Sequence, residues 1–301
     1  MVTDFPGYRI VKQLGVGAGS KLFSAVELKT GRTVAIKHMV REKPDDDRFF
    51  AQAENEHSIC TKLDHPSLRK VYSIHRVRKL LQTKELLLVM EYVEGLDLEK
   101  ARPNRLNTFI KVFQAVAQGL DAMHEAGFLH TDIKPTNIMV AKGGSVKIID
   151  FGQSCPINHR KERIQGTPDY IAPEQVNRLP LGRGTDIFNL GATMYWVLTS
   201  NTYPTELQGV DSLPGRTVLR SKKPIAPNEL NSKIPKALSQ LVMECCRKNP
   251  AERPSDMKQI SSRLTVVKKL WTKFRDDVRA QAGETPPQVK PQQVTAKEED
   301  E

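Results

Sequence analysis

His130-Thr131-Asp132-Ile133-Lys134-Pro135-Thr136-Asn137 is followed by a hydrophobic run and then by Asp150-Phe151-Gly152. A carboxylate with a lysine two residues on and an asparagine five on brings together a proton acceptor, a cation for a phosphate in transfer and an amide that can ligate magnesium. Asp150 adds a second carboxylate, the natural main ligand of a hard cation. The spacing reads as a phosphoryl-transfer site, with Asp132 as base, Lys134 as the neutralising cation, and Asn137 and Asp150 as metal ligands. Any one of these is commonly a surface or capping residue; the joint spacing carries the reading.

Upstream, Tyr8 to Leu14 and Leu22 to Leu28 are strand-like runs joined by a glycine-rich turn, and Thr30-Gly31-Arg32 turns the chain into Thr33-Val34-Ala35-Ile36-Lys37. Asp45, Asp46 and Asp47 are expected to cap a helix carrying Phe49, Phe50, Ala53 and Ile59. Two more strands follow, ending at Leu86 to Met90, so a small sheet with one helix is complete by about Val93. Beyond Gly95 the period changes. Phe109, Val112, Phe113, Val116, Ala117, Leu120 and Met123 recur at helical spacing, and Asp186 to Thr199 is apolar enough for a buried central helix. Pro235 to Arg247 and Pro254 to about Ala280 are further helices.

With 301 residues and 39% hydrophobic content the chain can bury a sizeable core. No apolar run is long enough to cross a bilayer and no secretion signal opens the chain, so the expected location is the cytoplasm. Cys60, Cys155, Cys245 and Cys246 lack metal-ligand spacing and read as reduced thiols, mostly buried. The formal charge of +11 comes from dispersed lysines and arginines without aromatic interleaving or a recognition motif, which argues against nucleic acid as a partner. The densest basic run, Arg69-Lys70 through Lys79, alternates with apolar residues; it reads as an exposed sheet face, or as a dock for an acidic partner.

Together these segments resemble the eukaryotic-like serine/threonine protein kinases from about Tyr8 to Leu264, with the bacterial members the most similar in character. That resemblance implies an α+β, two-lobed kinase fold: a small, mainly β N-lobe (8–93) with one helix and a larger, mainly α C-lobe (94–270). Residues 1–7 are expected as an N-terminal tail, 271–281 as a helical extension and 282–301 as a disordered tail. It further implies ATP with Mg2+, or Mn2+, as cofactors and protein serine or threonine as substrate; the oligomeric state is left open. Leu14, Gly15, Val16, Gly17, Ala18, Gly19, Ser20 and Leu22 correspond to the phosphate-covering loop. Ser20 replaces the third glycine of the family pattern, and Gly19 falls where the family often has an aromatic tip. Lys37 corresponds to the strand lysine that holds the α- and β-phosphates, with Glu56 as its helix partner and Glu54 as the rival. Met90, Glu91 and Val93 correspond to the hinge around adenine, Asp97 to the ribose contact, and Leu22, Ala35 and Met139 to the pocket walls.

Downstream, Gly166-Thr167-Pro168 through Ala172-Pro173-Glu174 resembles the substrate-positioning end of the activation segment. Thr167 is expected beside Asp132 and Lys134, Glu174 paired with Arg253, and Asp186 anchored on the catalytic-loop backbone. One position departs from the family pattern: Thr131 stands where most members have the arginine that pairs with an activation-loop phosphate. Between Gly152 and Gly166 the only hydroxyl residue is Ser154, while His159, Arg160, Lys161 and Arg163 make the middle basic. The expectation is an enzyme active without activation-loop phosphorylation. A pseudokinase scaffold and a small-molecule kinase are the rival readings, and Cys155 in the segment reads as a structural thiol rather than a redox switch.

Overall fold

A five-stranded antiparallel sheet forms the N-terminal part, built from β1 (Tyr8–Gly17), β2 (Ser20–Glu27), β3 (Thr33–Val40), β4 (Val71–Lys79) and β5 (Gln82–Glu91) in the order β1-β2-β3-β5-β4. The computed structural model describes residues 5–17, 19–79, 82–207 and 223–281; Ala18 and the expected tail 282–301 lie outside the described residues. Alternation decides the two faces. Val34 and Ile36 point to one side with Tyr8, Ala25, Leu87 and Val89, covered by Phe5 and Tyr72. Ala35 and Met39 point to the other, into the main core with Leu86, Leu88 and Met90. Leu22 opposes Lys37 and Ala35 opposes Met90, so the cleft-facing side chains are set by register.

The strand pairing runs further than the hydrophobic pattern predicts. Gly15 opposes Leu22, Val16 opposes Lys21 and Gly17 opposes Ser20, so most of the glycine-rich stretch is the end of a hairpin. Helix α1 (Asp47–Cys60) packs on β4 and β5 through Phe50, Ala53, Glu56, Ile59 and Cys60. Its capping differs from expectation. The Asp46 carboxylate turns back to accept from the amides of Glu42 and Lys43, at 2.9 and 3.0 Å, and so stabilises the preceding turn. Asp47 instead pairs with Arg41.

The C-terminal part is helical. β6 (Gly95–Asp97) leads to α2 (Leu106–Glu125), whose buried face of Phe109, Ile110, Phe113, Val116, Leu120 and Met123 follows the 3.6-residue period. Each such side chain removed from water contributes roughly 1.5–3 kcal/mol. Short strands β7 (Phe128–Leu129), β8 (Ile138–Ala141), β9 (Val146–Ile148) and β10 (Cys155–Pro156) frame the loops that follow. After α3 (Pro173–Val176), α4 (Arg183–Thr199) is buried on nearly every face, as its continuous apolar sequence predicts. α5 (Pro227–Leu230), α6 (Lys236–Cys245) and α7 (Met257–Gln281) complete the fold, with α7 along α2 and α6 against α4. The α4–α6 approach depends on Gly191, where a Cβ would lie 2.5 Å from the Cys245 Cβ.

All four cysteines are free and buried. Burial pushes the Cys155 thiol up to about 11 and Cys245 to about 12, and raises Cys60 and Cys246 as well. Among the described residues no helix is long and apolar enough to cross a membrane. Within the basic run and its approach, Arg69 pairs with Glu56, Lys70 with Asp64 and Arg76 with Glu54.

Candidate active site

The loop between β7 and β8 carries residues 130–137, and a single buried carboxylate sets its backbone. Asp186 accepts from the amides of His130 at 2.9 Å and Thr131 at 2.7 Å, while its Oδ2 lies 2.8 Å from His124 Nε2. Burial pushes the Asp186 pKa upward, but the His124 hydrogen bond, the His124 and His130 rings and the His130 amide outweigh it, holding the carboxyl below its ordinary value. Thr131 then sits at φ +63°, a left-handed conformation unusual for a β-branched residue. The β8–β9 hairpin accounts for the spacing between Asn137 and Asp150. Ile138 opposes Ile148, and Ile149 N–H donates to Asn137 O at 2.9 Å, so the residues just outside each strand end come together.

Asp132 is the hub. Lys134 Nζ donates to its Oδ2 at 2.8 Å, Thr167 Oγ donates to its Oδ1 at 2.8 Å, and Lys134 also donates to Thr167 Oγ at 2.8 Å. Asn137 Nδ2 donates to the Asp132 carbonyl at 2.9 Å and more weakly to Oδ2 at 3.3 Å. Gln153 Nε2 completes the shell at 3.3 Å. Asp132, Lys134, Thr167 and Asn137 are thus one network, brought together from the loop and the activation segment.

Across the cleft Lys37 Nζ lies 3.3 Å from Glu56 Oε2 and 3.7 Å from Asp150 Oδ1. Burial pushes the lysine pKa down, yet Glu56 and Asp150 together raise it above its ordinary value. Glu56 is the helix partner and Glu54 is not; Glu54 faces Arg76 on the outside. Arg69, which no local pattern points to, reaches the other Glu56 oxygen at 2.7 Å. Asp150 loses water in the cleft, which raises its pKa, but the charges of Lys37, Arg69, His130 and Lys134 outweigh this and hold the carboxyl below its ordinary value.

Of these groups Lys37, Arg69, Asn137, Asp150 and Gln153 line one cavity of about 390 Å³, within the roughly 300–1,000 Å³ common for small-molecule sites. Its walls include Gly15, Val16, Gly17, Ser20 and Leu22 from the hairpin, Lys37, Met90, Asn137 and Asp150. Ala35 is in the core beside it, and the hinge residues flank it. Glu91 pairs with Lys147 at 2.8 Å, Val93 lies in the connection to β6, and Asp97 caps the Lys100 amide at 3.0 Å while opposing Met139 in the sheet. Leu14 is exposed on β1. Two side chains of α1, Phe49 and Gln52, also line the cavity; the helical pattern marks Phe49 only as an apolar residue of the helix and marks Gln52 not at all. The Phe49 ring lies directly against Gly19, where a Cβ would come within 2.2 Å of it. A larger groove of about 1,370 Å³ runs between the start of α2 and the end of α7, but it holds none of the Asp132 network.

Beyond the cleft, Arg253 makes a two-pronged contact with Glu174 at 2.7 and 2.9 Å and donates to Gly184 O at 2.7 Å. Thr185 Oγ adds a bond to the same carboxylate at 2.9 Å. The end of the activation segment is thereby fastened to the helical core. The profile of the protein kinase domain family matches residues 8–264. The chain belongs to that family. The kinase domain is similar to serine/threonine-protein kinase pkn3 of Myxococcus xanthus, 27% identical over 87% of this chain and 50% of that protein. A probable serine/threonine-protein kinase of Clostridium acetobutylicum is 28% identical over 87% of this chain and 40% of its own length. Serine/threonine-protein kinase PknD of Chlamydia felis is 25% identical over 84% and 30%. The chain therefore spans half or less of the length of these relatives. The kinase domain shares with its family the α+β division into a sheet-rich and a helical part, with the cleft residues of both lying at their junction.

Proposed function

We propose that the chain is an ATP-dependent serine/threonine protein kinase that transfers the γ-phosphoryl group to protein hydroxyls in line, without a phospho-enzyme intermediate. The observation that supports this most directly is the Asp132 network, in which a 4%-exposed carboxylate is held by Lys134 and Thr167 beside the mouth of the cleft. Asp132 accepts the proton of the substrate hydroxyl as its oxygen bonds to phosphorus and the bond to the β-phosphate oxygen breaks. Lys134, 2.8 Å from Asp132, is placed to offset charge on the phosphoryl oxygens. Lys37 holds the nucleotide phosphates, and Glu56 and Arg69 fix its position.

The residues fit a hard divalent cation. The Asp150 carboxylate is open to the cleft, and Asn137 spends its Nδ2 on Asp132, which leaves its carbonyl oxygen for a ligand. Asn137 and Asp150 would hold Mg2+ or Mn2+, which neutralises phosphate charge when bound. The reading extends to cytoplasmic signalling by protein phosphorylation and to activity without phosphate on the activation segment, supported by Thr131 and by a stretch from Gly152 to Gly166 whose one hydroxyl, Ser154, is buried.

Incubation of the purified chain with labelled ATP, magnesium and a generic protein substrate should yield phosphoserine or phosphothreonine. Asp132→Asn should lower the rate about 10²–10⁴-fold, and Asp150→Asn should abolish transfer. Prior phosphatase treatment should leave the wild-type rate intact. Transfer that is absent in the wild type, or that survives in Asp150→Asn, would overturn the proposal.

A further inference from the structure

The middle of the activation segment is basic, and one of its cations is inside the protein. Lys161 is only 9% exposed. Its Nζ donates to Thr131 Oγ at 2.8 Å and to the Gln153 carbonyl at 2.5 Å. Thr131 Oγ in turn donates to that same carbonyl at 2.8 Å, so the three groups form a closed triangle. The segment thus touches the catalytic loop one residue before Asp132, and it does so through a side chain thirty positions downstream.

Burying an ammonium is costly unless something specific is gained, because desolvation opposes the charged form. Neither direct partner of Lys161 is a carboxylate. Burial holds the Lys161 pKa below its ordinary value, and the carboxylates that oppose this, Asp132 and Asp186, act across space rather than in contact. A cation in that setting contributes little as an ion pair, and its value lies in where it holds the chain. Thr131 supplies the reason for holding it: a β-branched residue at φ +63° persists only when its surroundings over-determine it. Four bonds do so here, from its N–H to Asp186, from its Oγ to Gln153, from Lys161 to its Oγ, and from Gln175 Nε2 to its carbonyl at 2.8 Å. Gln175 also donates to Gln165 O at 3.1 Å, so Gln165 is linked to Thr131 through the Gln175 amide while Lys161 reaches it directly.

We propose that Lys161 is a positioning residue that locks the activation segment onto the catalytic loop, supplying from the segment the cation that most family members carry at the position of Thr131. The polarity of the joint is reversed. Where an arginine waits on the loop for a phosphate on the segment, here the segment brings its own lysine to a neutral acceptor on the loop. No modification is needed to close such a joint. The inference rests on the reading of the cleft as a phosphoryl-transfer site, but its structural half stands apart from catalysis.

The test compares Lys161→Met, Lys161→Arg, Lys161→Glu and the swap Thr131→Arg/Lys161→Glu in the full chain. Kinase rates are measured alongside hydrogen exchange of residues 153–165. Lys161→Met should lower kcat about tenfold or more with the ATP KM changed by less than about twofold, as expected for a group that positions the machinery rather than binding nucleotide. Its segment amides should exchange faster, and Lys161→Arg should recover most of both losses. The swap, which joins the same two positions by a cation on the loop and an anion on the segment, should recover activity over Lys161→Glu alone. Wild-type kcat in Lys161→Met, or a lowered melting temperature with kcat and segment exchange unchanged, overturns the proposal. If the wild type transfers no phosphate, the proposed activity falls, and exchange alone decides the lock: unaltered protection in Lys161→Met sinks it.

Discussion

Glu56 holds two cations, and the shorter contact is the one with no counterpart in the sequence reading. Arg69 lies 2.7 Å from Oε1 and is nearly as buried as the carboxylate, whereas Lys37 stands 3.3 Å away and is shared with Asp150 at 3.7 Å. Arg69→Met should therefore leave a buried charge half-compensated and cost about 3 kcal/mol in urea unfolding, far more than Lys70→Met on the surface. Asp186 offers a pH test. Its folded pKa lies below the ordinary 3.8, so its contribution is complete above that value and is lost as pH falls through the folded value. Asp186→Asn should be less stable at neutral pH, and its melting temperature should fall less steeply than that of the wild type below about pH 4. A parallel acid limb in both proteins would show that Asp186 is not the group responsible. Lys37, Asp132, Asn137 and Asp150 are legible in the sequence because short strands and one hairpin set their spacing locally. Arg69 and Lys161 are not legible, since nothing about an arginine at a strand entrance or a lysine in a basic loop marks it as buried; only packing with distant residues does that.

At the scale of elements, periodicity finds the helices and alternation finds the strands, but end effects escape both. α4 is readable because an almost continuous apolar run has few places to go except a core. The Asp45 to Asp47 cluster misleads because three acids before a helix look like caps, while the Asp46 side chain satisfies nearer amides in the turn behind it. The glycine-rich stretch likewise reads as a turn, yet pairing with β2 carries it as strand to Gly17. The helix interface makes a prediction whose sign is informative. Glycine to alanine within a helix ordinarily stabilises by roughly 0.5–1 kcal/mol. At Gly191 the new methyl would strike Cys245 and Cys246, at 2.5 and 2.9 Å, so Gly191→Ala should instead destabilise by about 1–3 kcal/mol. Thermal unfolding decides it, and a raised midpoint would mean that α4 and α6 can separate cheaply.

For the molecule as a whole, the division into a sheet-rich and a helical part is legible from the change of period after Gly95, whereas the ties that make the parts one body are not. Asn55 of α1 donates to Ser154 O of the activation segment at 2.8 Å, and the other end of the segment is bolted to the C-terminal core by Glu174 and Arg253. Arg253→Met should cost about 3–5 kcal/mol, because it strands a buried carboxylate. In a double-mutant cycle with Glu174→Gln the second change should cost much less than it does alone; additive losses would mean that the two residues act independently. The four buried thiols have a practical consequence. Cys60 closes α1, Cys155 lies in the activation segment, and Cys245 and Cys246 sit where α6 meets α4. With each thiol raised above its ordinary pKa, a maleimide reaches none of them until its own neighbourhood opens. Timed labelling and peptide mass mapping of the unmodified chain thus provide separate clocks for α1, the activation segment and the α4–α6 interface, with no probe introduced.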